Sequence, residues 1–285
     1  MRHYSSREGN RIVMVQVVVV PVLNDNYSYL LIDEASKTCA AIDPVEPEKV
    51  LRAADENNVT ITLVLTTHSH ADHDGGNPKM KQLLPDVVVV GGRNDNVRGV
   101  TREVDDQEVI RFGGLQVRVL STPCHTPGHV LYLCDDALFT GDTLFIAGCG
   151  RFNGTSHHCC ILISMLFSII ADGTAAQMHY ALNQVIANLP EHTKVYCGHE
   201  YTTNNLKFAA AVEPENPAIQ AKLHWSQSTP STIPSTIASE LDTNPFMRVD
   251  HPAVLKYAGS ADPVTVMAVL REKKNSFGLG AGPAK

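Results

Sequence analysis

The stretch THSHADHDGG, residues 67–76, holds a dense group of metal-binding side chains. Three histidines and two aspartates fall within the seven residues from His68 to Asp74, directly after an apolar run. A solvated polar turn needs neither that composition nor that spacing. Imidazole together with carboxylate suits Zn²⁺, Fe or Mn²⁺ better than Ca²⁺ or Mg²⁺. The stretch therefore predicts a metal site.

The spacing within the stretch predicts that it serves two ions. Side chains two residues apart on an extended chain point to the same side, so His68 and His70 can bind one ion together. Asp72 and His73 fall on the turn beyond and can point elsewhere. Asp74 could orient a ligand, or it could be a solvated residue of the turn, and the sequence leaves both interpretations open.

Further donors follow predicted strands elsewhere in the chain. His125 lies in STPCHTPGH, Asp142 in LFTGDTLF and His199 in VYCGHEYT, each after an apolar β-like run. Taken singly, each could be structural, since a lone histidine at a strand end is more often structural or solvated and an aspartate can stabilise a turn. Together with the first stretch they form a consistent set. The seven candidate ligands are His68, His70, Asp72, His73, His125, Asp142 and His199.

Predicted secondary structure places these donors at the ends of strands. Loops at strand ends are the usual place for catalytic groups, because the sheet holds them rigidly. Period-two and apolar runs predict strands at 14–21, 27–33, 39–44, 59–68 and 87–92, a hairpin at 108–123, two strands within 129–142 and one at 193–199. Helical spacing predicts helices at 46–58, 77–86, 178–189, 203–212, 216–228 and 262–274.

The order of these elements predicts two domains. An α/β part with many strands, residues 1–199, precedes a mostly helical part, residues 200–285. The Ser/Thr/Pro-rich segment 226–237 is predicted to be a linker loop.

The charge and the hydrophobic pattern of the chain bear on whether it binds nucleic acid or spans a membrane. The chain of 285 residues has a net charge of −7, with 15 Lys/Arg against 22 Asp/Glu before residue 200 and 8 of each from there on. The acidic first part argues against nucleic acid as the main partner. No run of about 18 apolar residues occurs, so no membrane-spanning helix is expected.

The cysteines and the N-terminus bear on location. Seven scattered cysteines without C-x-x-C pairs are typical of reduced thiols in an intracellular protein. Residues 1–13, MRHYSSREGNRIV, contain three arginines, but Glu8 and the lack of an amphipathic pattern weaken a transit-peptide interpretation. A cytoplasmic monomer is therefore expected, with a mitochondrial location as the alternative.

The motifs THSHADH, PCHT, GDT and GHEY resemble the metallo-β-lactamase superfamily. Within it, the sequence is most similar to the glyoxalase II (hydroxyacylglutathione hydrolase) family. The resemblance spans about residues 15–277 except 153–172, and it implies an α+β fold. A four-layer αββα sandwich would occupy 1–199, and a smaller helical substrate-binding domain would occupy 200–285. The segments that carry the resemblance are LNDNYSYLLID, DPVEPEKV, TGDTLFIAGCGRF, VYCGHEYTTNNLKFA and NPFMRV.

The resemblance implies a role for each candidate ligand. His68, His70 and His125 would bind one divalent metal, Asp72, His73 and His199 the other, and Asp142 would bridge them. Zinc is expected, with iron or manganese as alternatives, because all three accept these ligands. His129 is expected to orient a metal-binding residue or to pack beside the site, and not to bind a metal itself. The residues expected to support catalysis by metal-bound hydroxide are His68, His70, Asp72, His73 and Asp142.

The implied reaction is hydrolysis of S-(2-hydroxyacyl)glutathione, chiefly S-lactoylglutathione. Two ions sharing a carboxylate and a water lower the pKa of that water to about 7, which supplies hydroxide at neutral pH. The carboxylates of the glutathione part need cations. The positions that match the family's substrate contacts are Arg151, Phe152, Tyr201, Arg271 and Lys273. Leu270 stands where the family often has a second basic residue.

An insert departs from the family pattern, and two other functions are considered beside the main one. Residues 153–172 contain two histidines, two cysteines and an apolar block where the family runs almost directly from GCGRF into its next segment. Four adjacent residues cannot converge on one ion, so this insert is predicted to be a lid or interface element, or non-native sequence, rather than a metal site. The alternatives are a catalytically impaired homologue and a persulfide dioxygenase-like iron oxidoreductase.

Overall fold

The computed structural model of the protein describes residues 15–152 and 173–277. The predictions for the first residues and for the insert 153–172 lie outside the described residues. The strands are β1 (Val15–Val22), β2 (Asn26–Asp33), β3 (Thr38–Ile42), β4 (Thr60–Leu65), β5 (Val88–Gly92), β6 (Arg102–Val104), β7 (Val109–Phe112), β8 (Leu115–Ser121), β9 (Val130–Cys134), β10 (Ala137–Gly141), β11 (Leu144–Phe145), β12 (Gly148–Cys149), β13 (Lys194–Cys197) and β14 (Ser235–Thr236). The α-helices are α1 (Pro47–Glu56), α2 (Ala71–Asp74), α3 (Asn77–Leu83), α4 (Ala175–His179), α5 (Thr202–Val212), α6 (Pro217–Ser226), α7 (Ile237–Thr243), α8 (Pro252–Ala258) and α9 (Pro263–Ser276).

Among the described residues, twelve of the fourteen strands form two six-stranded sheets that face each other, and β11 pairs with β12 in a small third sheet. The first sheet has the order β1-β2-β3-β4-β5-β6, the second β14-β13-β10-β9-β8-β7. Apolar side chains of both sheets, such as Leu31 and Leu65 of the first and Tyr132 and Phe139 of the second, form one buried cluster between them. Helices cover the outer face of each sheet, so the predicted αββα sandwich is confirmed.

Local sequence explains why the covering helices begin where they do. Pro47 stands at the start of α1, where its missing N–H costs no hydrogen bond. Asp262 caps α9 by accepting a hydrogen bond from the Thr265 N–H, with Pro263 as the first helical residue. Valine and isoleucine dominate the buried strands, where their branched side chains pack well on a pleated surface.

Parallel pairing brings separate parts of the chain to one edge of the sandwich. In the first sheet, β3 and β4 are parallel, and in the second, β10 and β13 are parallel. The carboxyl ends of parallel strands meet at the same edge, and ligands bind in the crevice outside such ends. Asp142 follows β10 and His199 follows β13. Backbone hydrogen bonds from Tyr27 to Gly198 (2.9 Å) and from Glu200 to Asp25 (2.8 Å) join the two sheets there.

The C-terminal helices share a core with the second sheet. One buried cluster contains Leu131 and Val195 of the strands together with Phe208 of α5 and Met267 of α9. The helical part is therefore continuous with the sandwich in its packing, while the boundary at residue 200 stays a prediction. In the described parts of the chain, none of the helices is long and apolar enough to cross a membrane.

Two predicted elements differ from the structure. The segment 226–237 is predicted to be a linker loop, but Ser235–Thr236 form β14 beside β13, and α7 begins at Ile237. Thr232, in the middle of the segment, donates its N–H (2.8 Å) and its hydroxyl (2.8 Å) to the Glu200 carboxylate, which holds the loop against the sandwich. The predicted helix 178–189 is α4 continued by π-helical turns over Tyr180–Ile186.

The shared core predicts one cooperative unfolding transition. Phe208→Ala is expected to lower the free energy of unfolding by about 3–5 kcal/mol, because the fully buried ring leaves a cavity in the cluster that both parts build. Denaturant titration followed by far-UV circular dichroism and by fluorescence of Trp225, the one tryptophan, measures this. Val109→Ala, at an exposed side chain, is the control and should change the value by less than about 0.5 kcal/mol. Separate transitions for the two probes would contradict a shared core.

Candidate metal centre

His68, His70 and His125 converge at the edge of the sandwich. His68 and His70 follow β4, and His125 lies on the loop between β8 and β9. His70 Nδ1 lies 3.1 Å from His68 Nε2 and 3.0 Å from His125 Nε2. One donor atom from each of the three side chains falls within 4.8 Å of the others, so these nitrogens can share one ion.

Asp72, His73 and His199 form a second group beside the first. The single turn α2 carries Asp72 and His73, and His199 follows β13. His199 Nε2 lies 3.3 Å from His73 Nε2 and 3.3 Å from Asp72 Oδ2. Donor atoms of all three again lie within 4.8 Å of one another. The four donors of residues 68–73 thus contribute two to each of these groups, while His68 and His73 also form a third close group with Asp142.

Asp142 lies between the two groups and faces both. Its Oδ1 is 3.2 Å from His73 Nε2 and 3.5 Å from His199 Nε2, while its Oδ2 is 3.4 Å from His125 Nε2. The side chain is buried, with 7% exposed, yet Oδ1 accepts no well-formed hydrogen bond from a described residue. A buried oxygen without a hydrogen-bond partner is rare in folded proteins. A cation on each side of Asp142 would compensate for the missing partner. The donors present therefore fit a pair of divalent ions.

Electrostatics keep the central carboxylates ionised. Burial would raise the pKa of Asp142, but His73 and His199 beside it lower that pKa well below its ordinary value. A hydrogen bond from His199 lowers the pKa of Asp72. Burial lowers the pKa of His68, and the neighbouring His73 lowers it further, so this imidazole is neutral. Ionised carboxylate and neutral imidazole are the forms that bind metals. Burial would lower the pKa of His73 and of His199, but neighbouring carboxylates, chiefly Asp142, raise it above the ordinary value of histidine, so an ion bound there would displace a proton from each ring.

The ring nitrogens that face away from the centre have partners of their own. His73 Nδ1 donates to Asp43 Oδ2 at 2.9 Å, and His199 Nδ1 donates to Asp25 Oδ1 at 2.9 Å. His125 Nδ1 donates to the Arg151 carbonyl at 2.9 Å. Such contacts fix the ring and leave the other nitrogen free to bind a metal, which is the usual arrangement around metal-binding histidines.

Asp43 is a functional residue that the sequence did not single out. It is buried after β3 and accepts hydrogen bonds from the Thr67 N–H (2.8 Å) and the Thr67 hydroxyl (2.7 Å) as well as from His73. Thr67 Oγ1 in turn lies 3.0 Å from His68 Nδ1, so one carboxylate orients residues of both groups. The only signal was its position at a strand end, in a segment quoted for the family resemblance.

Asp74 is not the solvated turn residue that one of its two interpretations predicts, because it is fully buried. Its backbone N–H donates to the His70 carbonyl at 2.9 Å. Its carboxylate accepts hydrogen bonds from the backbone and guanidinium of Arg98, which attaches α2 to the loop after β5.

His129 is buried and stacks on His68 with ring centroids 4.9 Å apart, and its Nε2 accepts the Asp142 N–H at 3.2 Å. His129 therefore packs against and orients the ligands.

The structure gathers some of the predicted substrate contacts near the metal donors. Tyr201 stacks on His199 with ring centroids 4.6 Å apart, and burial raises its pKa to about 12, so its hydroxyl keeps its proton. Arg151 is exposed beside His125. Arg271 is buried and donates from Nη1 to the Cys149 carbonyl at 3.0 Å. Arg151 interacts electrostatically with both Tyr201 and Arg271.

Two predicted substrate contacts have partners within the protein. Phe152 is 2% exposed, and its ring packs in the core shared with the helices. The Lys273 ammonium donates to the Tyr257 carbonyl at 2.8 Å and sits over the Tyr257 ring, 4.1 Å from its centroid. Both positions are determined by the packing of the C-terminal helices, which decides which side chains face the metal donors.

Removing Asp43 is expected to weaken metal binding without removing a ligand. Asp43→Ala should lower metal affinity by about 10–100-fold, since His73 and Thr67 lose the group that orients them. Asp43→Asn keeps the side-chain shape and one acceptor oxygen, so it should lower the metal affinity less than Asp43→Ala does. Competition with a chromophoric chelator measures the affinity. Equal affinity in the Asp43→Ala variant and the unchanged protein would show that Asp43 has no orienting role.

Comparison with known proteins identifies the class that the sandwich and its edge site define. Residues 25–199 match the family model described as the metallo-beta-lactamase superfamily. The crystal structure of ETHE1 from Myxococcus xanthus superposes with a TM-score of 0.62 at 25% identity, covering 92% of this chain and 98% of that one.

Relatives define the family within this class. Residues 200–277 match the model described as the hydroxyacylglutathione hydrolase C-terminus. A cytoplasmic hydroxyacylglutathione hydrolase of Arabidopsis thaliana is 46% identical over 274 residues, covering 92% of this chain and 99% of the relative. A hydroxyacylglutathione hydrolase of Dictyostelium discoideum is 38% identical over 285 residues, covering 91% and 99%. The chain belongs to the hydroxyacylglutathione hydrolase family of the metallo-beta-lactamase superfamily.

Proposed function

We propose that the protein is a metal-dependent thioesterase that hydrolyses S-(2-hydroxyacyl)glutathione to glutathione and a 2-hydroxy acid. S-lactoylglutathione, giving D-lactate, is the expected substrate, which places the enzyme in methylglyoxal detoxification. The observation that carries the proposal is the position of Asp142, with one oxygen facing His73 and His199 and the other facing His125. Membership of the family supports the substrate class.

The proposed division of ligands follows the two groups of donors. His68, His70 and His125 would hold one ion, and Asp72, His73 and His199 the other, with one Asp142 oxygen directed at each. Divalent ions held by these residues would supply water with a pKa of about 7 and would polarise an acyl carbonyl. Zinc is the proposed metal.

The protein's own side chains would position the substrate, and none of them would need to protonate the leaving group. Tyr201 keeps its hydroxyl proton and lies against His199, so it can donate a hydrogen bond to a bound substrate. Arg151 and Arg271 supply positive charge for the carboxylates of the glutathione part. A thiol leaving group has an intrinsic pKa of about 8.5, so it departs as thiolate without a protein acid. The site needs no general acid for this step.

The location and the assembly state are also proposed. A cytoplasmic location is supported by the description of the Arabidopsis relative. A monomer is proposed, as in the sequence analysis.

Three assays on the purified protein separate the candidate functions. Hydrolysis of S-lactoylglutathione, followed by loss of thioester absorbance, is the expected activity. Oxygen consumption with glutathione persulfide and no thioesterase activity would instead support the persulfide dioxygenase alternative. A variant lacking residues 153–172 tests the impaired-homologue alternative, because restored hydrolysis only after deletion would show that the insert blocks substrate. Strong hydrolysis by the unaltered chain would exclude that alternative.

A further inference from the structure

The hairpin of β11 and β12 has both of its ends at the metal donors. Leu144, the first residue of β11, lies two positions after Asp142, and Cys149 ends β12 two positions before Arg151. The Arg151 carbonyl accepts the Nδ1–H of His125 at 2.9 Å. A movement of the hairpin therefore moves the backbone that carries Asp142 and the backbone that contacts His125.

The turn of this hairpin needs partners outside the hairpin for its backbone. Ile146 and Ala147 join the two strands and are 1% and 0% exposed, so bulk water cannot satisfy their polar groups. Ala147 also has a positive φ of 55°, which a residue with a side chain adopts only where its surroundings hold it. The neighbouring structure must therefore determine the conformation of this turn.

Two side chains of the helical part hold the turn. Asn205 of α5 donates from Nδ2 to the Ile146 carbonyl at 3.0 Å. Glu240 of α7 accepts the Ala147 N–H on Oε2 at 2.7 Å. The two side chains are buried, with 6% and 0% exposed. Burying an amide and a carboxylate is costly unless each is hydrogen-bonded, and the hairpin supplies a partner for each of them.

Asn244, directly after α7, binds both strands of the hairpin. Its Nδ2 donates to the Gly148 carbonyl of β12 at 3.0 Å and to the Phe145 carbonyl of β11 at 3.3 Å. The Phe145 ring packs edge-on against the rings of His199 and Tyr201, with centroids 5.8 Å and 5.2 Å away. The fully buried Asn244 amide thus fixes the strand that places Phe145 beside a metal donor.

The two oxygens of Glu240 have different partners. Oε2 accepts from the hairpin and from Asn244 Nδ2 at 3.1 Å. Oε1 accepts from Lys222 Nζ at 2.9 Å and from the Ser235 hydroxyl. The Oε1 contacts therefore lie within the helical part, and the Oε2 contacts link that part to the hairpin.

We propose that Asn205, Glu240 and Asn244 are positioning residues for the metal centre and act on it through the hairpin of β11 and β12. The helical part then holds Asp142 and His125 where their donor atoms converge with those of the other ligands. The inference goes beyond the proposed function, because it concerns metal binding and not the substrate that is hydrolysed.

Zinc binding by the full-length protein, measured by competition with a chromophoric chelator, tests the inference. Asn244→Ala should raise the dissociation constant for Zn²⁺ on the order of tenfold, because both strands of the hairpin lose their shared donor. Asn205→Ala should act in the same direction through the Ile146 carbonyl. This second variant keeps the test decisive if the first does not fold.

Ser235→Ala is the matched control, since it removes a hydrogen bond to Oε1 of Glu240 and none to the hairpin. It should bind zinc as tightly as the unaltered protein. Thermal unfolding with and without zinc separates a positioning role from a purely structural one. Zinc should raise the melting temperature of the unaltered protein and of Ser235→Ala by similar amounts, and that of Asn244→Ala by less.

The outcomes separate this inference from the proposed function. Unchanged zinc affinity in folded Asn244→Ala and Asn205→Ala would overturn the inference. An equal loss of affinity with Ser235→Ala would overturn it as well, because the effect would then reflect stability alone. An unaltered protein that binds zinc but leaves S-lactoylglutathione intact would contradict the proposed function, and the zinc affinities of the variants would still decide the inference. An unaltered protein without affinity for zinc would overturn both.

Discussion

Asp142→Ala is expected to reduce hydrolysis of S-lactoylglutathione by about 10³-fold or more, and to reduce bound metal from about two ions per chain to about one or fewer. The expectation follows from the position of its two oxygens, which lie 3.2 Å from His73 Nε2 and 3.4 Å from His125 Nε2. Removing the carboxylate takes one ligand from each group of donors and the negative charge between them.

Steady-state kinetics and elemental analysis of the purified variant measure this prediction. Asp142→Asn is the informative companion, because it keeps the side-chain shape and removes only the charge. It should lose nearly as much activity as the alanine variant. Asp86→Ala, at an exposed position after α3, is the control and should keep its metal and its rate. A fully active Asp142→Ala enzyme with two bound ions would show that Asp142 is not shared between them.

Gly198→Ala is expected to lower kcat/KM by about 10²-fold although it changes no ligand. A Cβ atom at position 198 would lie 2.5 Å from Asp142 Oδ1 and 2.7 Å from His73 Cε1, closer than such atoms come in folded proteins. Both neighbours are buried and cannot move away without leaving their positions at the centre. A displacement of about 1 Å in a catalytic group can cost a hundredfold in rate.

Kinetics, metal content and circular dichroism together test the glycine prediction. The variant should fold normally and bind metal more weakly. Gly259→Ala is the contrasting control, since its added Cβ would meet nothing within 4 Å and only its positive φ of 73° is strained. It should lose about 1 kcal/mol of stability and keep its activity. Unimpaired hydrolysis by Gly198→Ala would mean that the centre tolerates movement of Asp142 and His73.

Much of the architecture could be predicted because it depends on local patterns. Runs of β-branched residues such as those of β4 and β5 are buried on both faces, so they stand out in the sequence without knowledge of their neighbours. The alternation of side chains on an extended chain predicts that the donors in residues 68–73 serve two ions. The structure brings His68 and His70 close to His125 and brings Asp72 and His73 close to His199, and His68 and His73 also lie close to each other beside Asp142. The assignment of metals to these groups stays a prediction until the ions are measured.

The remaining features depend on contacts between distant parts of the chain. Asp43 and Asp25 could not be identified, because an aspartate in a turn has the same local sequence whether or not a distant histidine donates to it. LREKK alone is typical of an exposed helix, so its sequence could not show that Arg271 is buried against the end of β12 while Lys273 contacts Tyr257. Ser235–Thr236 became a strand only because β13 offers it an edge.

Titrating metal into chelator-treated protein while following S-lactoylglutathione hydrolysis tests the central claim most directly. Two groups of donors that share Asp142 predict that the rate rises until about two equivalents of metal are bound per chain, with little activity at the first. Full activity at one equivalent, or hydrolysis that persists without metal, would contradict a binuclear thioesterase.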